Sequence, residues 1–193
     1  TSPEMAIMQK IYASASPEVA AAMLQQVMSA SLAGDTGYSA RLGRAEAFVL
    51  EELGPEAYWR LGGELAGIDL GPVEAIEVDA ARCVQHGDLH CANVLFDDVV
   101  RPMVIDYPEI RRSLASLDPV ALELSTIFHR DAPNRAEWPS EEQAQNWTDI
   151  DQFCAGSPYE AYLRACRTWA LEIAGSEQEV WAVGYSYALR QLK

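Results

Sequence analysis

Lysine is almost missing from this chain. Of 14 basic residues only Lys10 and Lys193 are lysines, and with 29 acids the formal net charge is −15. A protein so acidic is poorly suited to phosphate backbones, so nucleic-acid binding is disfavoured. No apolar run reaches the roughly 20 residues of a membrane-crossing helix. No signal-peptide pattern is present either, so neither insertion nor export is predicted. The cysteines, Cys83, Cys91, Cys154 and Cys166, contain no CxxC pair and no ligand spacing. They read as reduced, mostly buried thiols of a cytoplasmic protein. Histidine is scarce as well: His86, His90 and His129 are three in all, which starves a zinc site of ligands. Internal repeats and low-complexity tracts are also lacking.

What is there is a globular composition, 49% hydrophobic over 193 residues, enough for one generous domain with a real core. Residues 1–15 carry little pattern and suit an extended hinge or linker. Ser16-Pro17-Glu18 opens a helix whose apolar positions run from Val19 to Leu32, and Gly34 ends it. Helical stretches follow at 45–53, stopped by Gly54-Pro55, and at 56–67, weakened by Gly62-Gly63. Beyond Gly71-Pro72, Val73, Ile76 and Val78 alternate with acids, and 82–85 reads as a short strand. Val94-Leu95-Phe96 and Pro102–Ile105 flank Asp97-Asp98 and read as a β-hairpin. Asp118-Pro119 starts a helix ending near His129, which is placed to cap it. The segment 131–156 is long, polar and Pro-bearing, and reads as a loop or insert. Two capping boxes, Ser157-x-x-Glu160 and Ser176-x-x-Glu179, head the last two amphipathic helices.

The chemistry is concentrated between His86 and Asp106. Moving a γ-phosphoryl group to a hydroxyl asks for a carboxylate that takes the hydroxyl proton and for oxygen ligands that hold magnesium against the phosphates. Protein kinases supply these as an Asp, an Asn after four intervening residues, and a second Asp at a strand end. Asp88 and Asn93 have that spacing, and Asp106 follows the apolar run Met103-Val104-Ile105. The hairpin brings Asn93 and Asp106 near each other, and magnesium needs few protein donors because it keeps waters and phosphates. The competing pattern is a metal triplet, His86-x-Asp88-x-His90, which lacks the further ligands a hydrolytic metal centre requires.

The run His86-Gly87-Asp88-Leu89-His90-x-x-Asn93, with Ile105-Asp106-Tyr107 behind it, resembles the aminoglycoside phosphotransferase and choline kinase family. The resemblance is strong at 84–107 and extends more weakly over residues 10 to 193. It implies an α+β, predominantly helical fold: the C-terminal lobe of a protein-kinase-like fold, with a small β-hairpin carrying the metal site. It also implies ATP as co-substrate, Mg2+, and a small-molecule hydroxyl acceptor. By match to the motif, Asp88 is the catalytic base and Asn93 and Asp106 are the metal ligands. His86, His90 and Asp118 support the catalytic loop. Family members select substrates through inserts in the helical lobe, which makes Asp149 and Asp151 candidate contacts to a cationic acceptor; ordinary surface acids are the plainer account. Two departures stand out, Cys91-Ala92 where the family often has Pro-Gly, and Pro108 just after Asp106-Tyr107.

No glycine-rich loop precedes the motif, and Lys10 does not sit on a strand followed by a helix. The N-lobe that clamps ATP in kinases is therefore not expected in this chain, which reads as part of something longer. The isolated chain is expected to be inactive unless an N-lobe completes it. The alternative is a catalytically inactive kinase-like interaction or nucleotide-sensing module of a larger signalling or defence protein.

Overall fold

In the computed structural model, residues 39–65, 67–96, 102–130, 132 and 138–192 are described. The expected hinge at 1–15, the helix at 17–33, Lys10 and the hairpin turn at Asp97-Asp98 lie outside them.

The strand that leads into the loop starting at His86 organises the rest. β2 spans Glu77–Gln85, so the short strand expected at 82–85 is only its second half. Val78 and Ala80 are buried on one face, and Ala81, Cys83 and Gln85 on the other. A strand alternates faces with period two, so this one changes the side it buries midway. Its first half packs into the main core with Phe48 and Val180. Its second half joins Ala115 and Ile173. β2 is the centre of an antiparallel sheet between β1 (Ser39–Arg44) and β5 (Arg111–Leu114). The pairings run from Ser39↔Arg82 to Arg44↔Glu77, and from Arg82↔Leu114 to Gln85↔Arg111. Neither flanking strand was expected: each is short and rich in arginine rather than β-branched residues, so pairing with β2, not propensity, sets them.

Between β1 and β2 lie α1 (Ala45–Leu53), α2 (Pro55–Glu64) and the single turn α3 (Gly71–Glu74). The expected hairpin is present as β3 (Val94–Phe96) against β4 (Pro102–Val104), in register Val94↔Val104. α4 (Leu117–Phe128) is buried at every position from Leu117 to Thr126. It is the central helix, flanked by α7 (Glu160–Ile173) and α8 (Glu177–Arg190). The result is α+β with helices predominant.

The described part of the expected loop at 131–156 is a packed element instead. It forms two short helices, α5 (Glu141–Gln145) and α6 (Ile150–Cys154). Trp138 is buried against Phe153 with ring centroids 5.0 Å apart. Trp147 sits edge-on to Trp181 at 5.4 Å. The two tryptophans anchor a polar stretch that period alone reads as a loop.

The capping boxes also differ from expectation. The complete box is Ser140 with Gln143 at the head of α5. Ser157 accepts from the Tyr159 N–H at 3.1 Å, while Glu160 turns to Arg164. Ser176 does cap α8, accepting the Glu179 N–H at 3.2 Å. The Glu179 carboxylate, fully buried, instead accepts from the N–H groups of Ala81 (2.7 Å), Gly175 (2.8 Å) and Ser116 (3.0 Å). A local helix signal has become a cross-link between β2, the start of α4 and α8.

Candidate functional site

The loop leaving β2 is held from beneath by Asp118, in the first turn of α4. Its Oδ2 accepts the His86 N–H at 2.7 Å and its Oδ1 the Gly87 N–H at 3.0 Å. The Asp118 N–H in turn donates to Gln85 Oε1 at 3.0 Å. Burial pushes the Asp118 carboxyl up, and the two backbone donors pull it back. Gly87 has φ 86°, and a Cβ there would meet the Glu109 carbonyl at 2.5 Å, so only glycine fits.

His86 is buried, and its Nε2 lies 2.8 Å from the Ile105 carbonyl. A carbonyl only accepts, so Nε2 carries the proton. This contact ties the start of the loop to the end of β4. The His86 ring also stands 5.0 Å from that of Tyr107.

Asp88 is partly exposed, with Oδ1 3.2 Å from Arg190 Nη2 and Oδ2 3.6 Å from His90 Nε2. His90 Nδ1 accepts the Ala92 N–H at 3.2 Å, which fixes the remaining proton on Nε2, facing Asp88. Its ring stands 4.8 Å from that of His129, at the end of α4. Burial lowers the His90 pKa, against the pull of Asp88.

A short 3₁₀ turn, Cys91–Asn93, follows. Cys91 Sγ lies 2.9 Å from Ser125 Oγ, so the half-buried thiol packs against α4. Asn93 is buried, and its side-chain Nδ2 donates to the Asp88 carbonyl at 2.9 Å. With the nitrogen so used, Oδ1 is the atom left to act as a ligand. The Ile105 N–H donates to the Asn93 carbonyl at 3.0 Å, so Asp106 comes directly after a residue bonded to Asn93. Asp106 is exposed and has φ 63°. It is the only non-glycine residue in the left-handed region among the described residues, a position more often found in functional turns. Pro108 lies in the turn that follows, closed by the Ile110 N–H to the Tyr107 carbonyl at 3.5 Å.

A cleft of about 480 Å³ opens beside Asp88, lined also by Glu51, Glu52, Glu109, Arg111 and Arg190. Hydrogen bonds tie Asp118, His86, His90 and Asn93 to the loop that carries Asp88, and Asp106 follows Ile105, which is bonded to Asn93; of these six residues, Asp88 lines the cleft. The other two candidates are engaged elsewhere. Asp149 caps α6, accepting from Asp151 and Gln152, and Asp151 pairs with Arg164. Neither lines the cleft. One nitrogen of each histidine is engaged by the backbone, His86 Nε2 with the Ile105 carbonyl and His90 Nδ1 with the Ala92 N–H, while His90 Nε2 faces Asp88. Among the described residues no group of three or more His, Cys, Asp or Glu could hold a metal ion. Arg190, Arg111 and Glu52 went unrecognised in the sequence. Arg190 looked like the end of a scaffold helix, and nothing local links it to a loop 102 residues earlier. No family model matches this chain, and neither the curated proteins nor the solved structures yield a match.

Proposed function

We propose that this chain carries the hydroxyl-activating and metal-binding part of an ATP-dependent phosphotransferase acting on a small molecule. The observation that supports it best is the tie between the three motif residues. Asn93 is bonded to the Asp88 carbonyl through its side chain and to Ile105 through its backbone, and Asp106 comes next. In this reading Asp88 accepts the acceptor's hydroxyl proton, and Asn93 Oδ1 and the Asp106 carboxylate face Mg2+. That donor set fits magnesium, which takes one or two protein oxygens and completes its shell with phosphates and water. Mg-ATP supplies the phosphoryl group and the charge neutralisation. Asp118 and His86 keep the loop's shape: one takes its N–H groups, the other bonds the end of β4. The described residues contain no lysine. We therefore assign the clamp on the α- and β-phosphates to a segment outside them or to another polypeptide.

The test is calorimetric titration of the full chain with ATP, with and without magnesium, beside Asp106→Ala and Asn93→Ala. Binding that requires magnesium and weakens about tenfold or more in each variant is expected, since each removes a ligand. If Mg-ATP binds neither to this chain nor to the chain completed by that clamp, the phosphotransfer reading falls and a kinase-like interaction module takes its place.

A further inference from the structure

The guanidinium groups around the cleft are matched to carboxylates that carry no proposed chemistry, with one exception. Arg82 pairs with Glu51. Arg111 is held at 2.6 Å by Glu52 and at 3.4 Å by Glu109. Arg190 instead reaches Asp88, Nη2 to Oδ1 at 3.2 Å, from the last turn of α8. Its guanidinium lies 5.2 Å from the centre of the Tyr187 ring on the same helix. A cation in a last helical turn is favourable for the dipole alone. The dipole gives no reason for the side chain to end on this carboxylate, inside the cleft.

We propose that Arg190 is a catalytic residue that binds the phosphoryl group in transit. The inference rests on the phosphotransfer reading above. A hydroxyl deprotonated by Asp88 sits roughly 2.6–3.2 Å from its carboxylate. The phosphorus under attack lies about 3–3.5 Å from that oxygen. A guanidinium touching the same carboxylate is therefore one side-chain swing from the phosphoryl oxygens. It offers five N–H donors in a planar fork, of which the contact with Asp88 engages one nitrogen. In the step, Asp88 takes the hydroxyl proton and the acceptor oxygen forms the new bond to phosphorus. The bond to the bridging oxygen breaks, its electron pair leaving with ADP. Arg190 transfers no proton; it neutralises charge on the equatorial oxygens, where such a group acts most strongly.

The experiment uses the full chain and two probes, Mg-ADP alone and Mg-ADP with aluminium fluoride, a planar stand-in for the phosphoryl group. Wild type, Arg190→Ala, Arg190→Lys and Asp106→Ala are compared by calorimetry, with thermal midpoints as a folding control. Wild type is expected to bind Mg-ADP, and the fluoride to tighten it by about tenfold to a hundredfold. Arg190→Ala should keep its Mg-ADP affinity within about twofold and lose most of the fluoride increment, and Arg190→Lys should regain part of it. If Arg190→Ala keeps the increment, Arg190 is not a phosphoryl-binding residue, while the metal–phosphate reading stands. If both arginine variants lose Mg-ADP affinity together with thermal midpoint, Arg190 is structural and the proposal falls. No binding of Mg-ADP by wild type even when completed by the phosphate clamp, or unchanged binding by Asp106→Ala, overturns the underlying reading instead.

Discussion

The side-chain amide of Asn93 donates to the main-chain carbonyl of Asp88 at 2.9 Å, so the candidate metal ligand also shapes the loop that carries the candidate base. The two roles can be separated by charge. Asn93→Asp keeps an oxygen ligand and removes the donor, setting a carboxylate against a half-buried carbonyl. It should cost about 1–3 kcal/mol in urea unfolding, the penalty of a buried group left unpaired. Addition of magnesium should recover part of that loss, because the metal would neutralise the new charge. Equal urea midpoints for Asn93→Asp and wild type without metal would show that the bond does not hold the loop.

Asp118 is the second support. Each of its oxygens takes one N–H, from His86 and from Gly87. Asp118→Asn replaces one acceptor oxygen by an NH2 group, which must then face a donor. A loss of about 2–4 kcal/mol is expected, the upper end because both the group and its partners are buried. Amide hydrogen exchange at His86 and Gly87 should quicken before the rest of β2 does. Uniform exchange across β2 would instead mean that Asp118 supports the whole sheet rather than the loop.

What could be read from the sequence and what could not divides along contact range. The hairpin between Asn93 and Asp106 and the buried helix after Asp118 are local patterns, and each has its element in the structure. β1 and β5 were missed because Ser39–Arg44 and Arg111–Leu114 are strands only through their pairing with β2. Glu179 was read as a helix cap, yet its carboxylate serves Ala81 and Ser116, far off in the chain. Arg190 was missed for the same reason. The role of Trp147 was hidden too: it packs on Gly184, where a Cβ would collide with the indole.

The same insert depends on a buried ion pair. Glu123 and Arg167, both essentially inaccessible, are joined by Nε–Oε2 at 2.9 Å and Nη2–Oε1 at 2.7 Å. The Trp147 indole N–H donates to Glu123 at 2.7 Å, and its ring lies 4.4 Å from the guanidinium. Burial pushes the Glu123 carboxyl up, and Arg167 pulls it down. Arg167→Ala leaves that charge alone in the core and should cost about 3–5 kcal/mol. Glu123→Gln with Arg167→Met should cost clearly less than Arg167→Ala, since no charge is stranded. A double mutant as unstable as the single one would locate the loss in packing against Trp147 and Trp181, not in electrostatics.

His90 makes stability depend on pH, with a sign set by its surroundings. Its Nδ1 accepts the Ala92 N–H at 3.2 Å, so a second proton must break that bond. Burial lowers the pKa, and His129, His86 and Arg190 lower it further, while Asp88 opposes them. A free imidazole titrates near about 6.5, so below that value the unfolded chain binds more protons at this site than the folded one. Stability contributed by the neutral ring is therefore full above about pH 6.5 and is lost as pH falls from there through the folded value. Urea midpoints measured between about pH 7.5 and 5 should drop more steeply for wild type than for His90→Gln, whose amide does not titrate. The NMR midpoint of the His90 ring should lie below about 6.5. A midpoint above that, or parallel midpoint curves for the two proteins, would mean that Asp88 outweighs burial, and that the ring beside the candidate base is a cation near neutral pH.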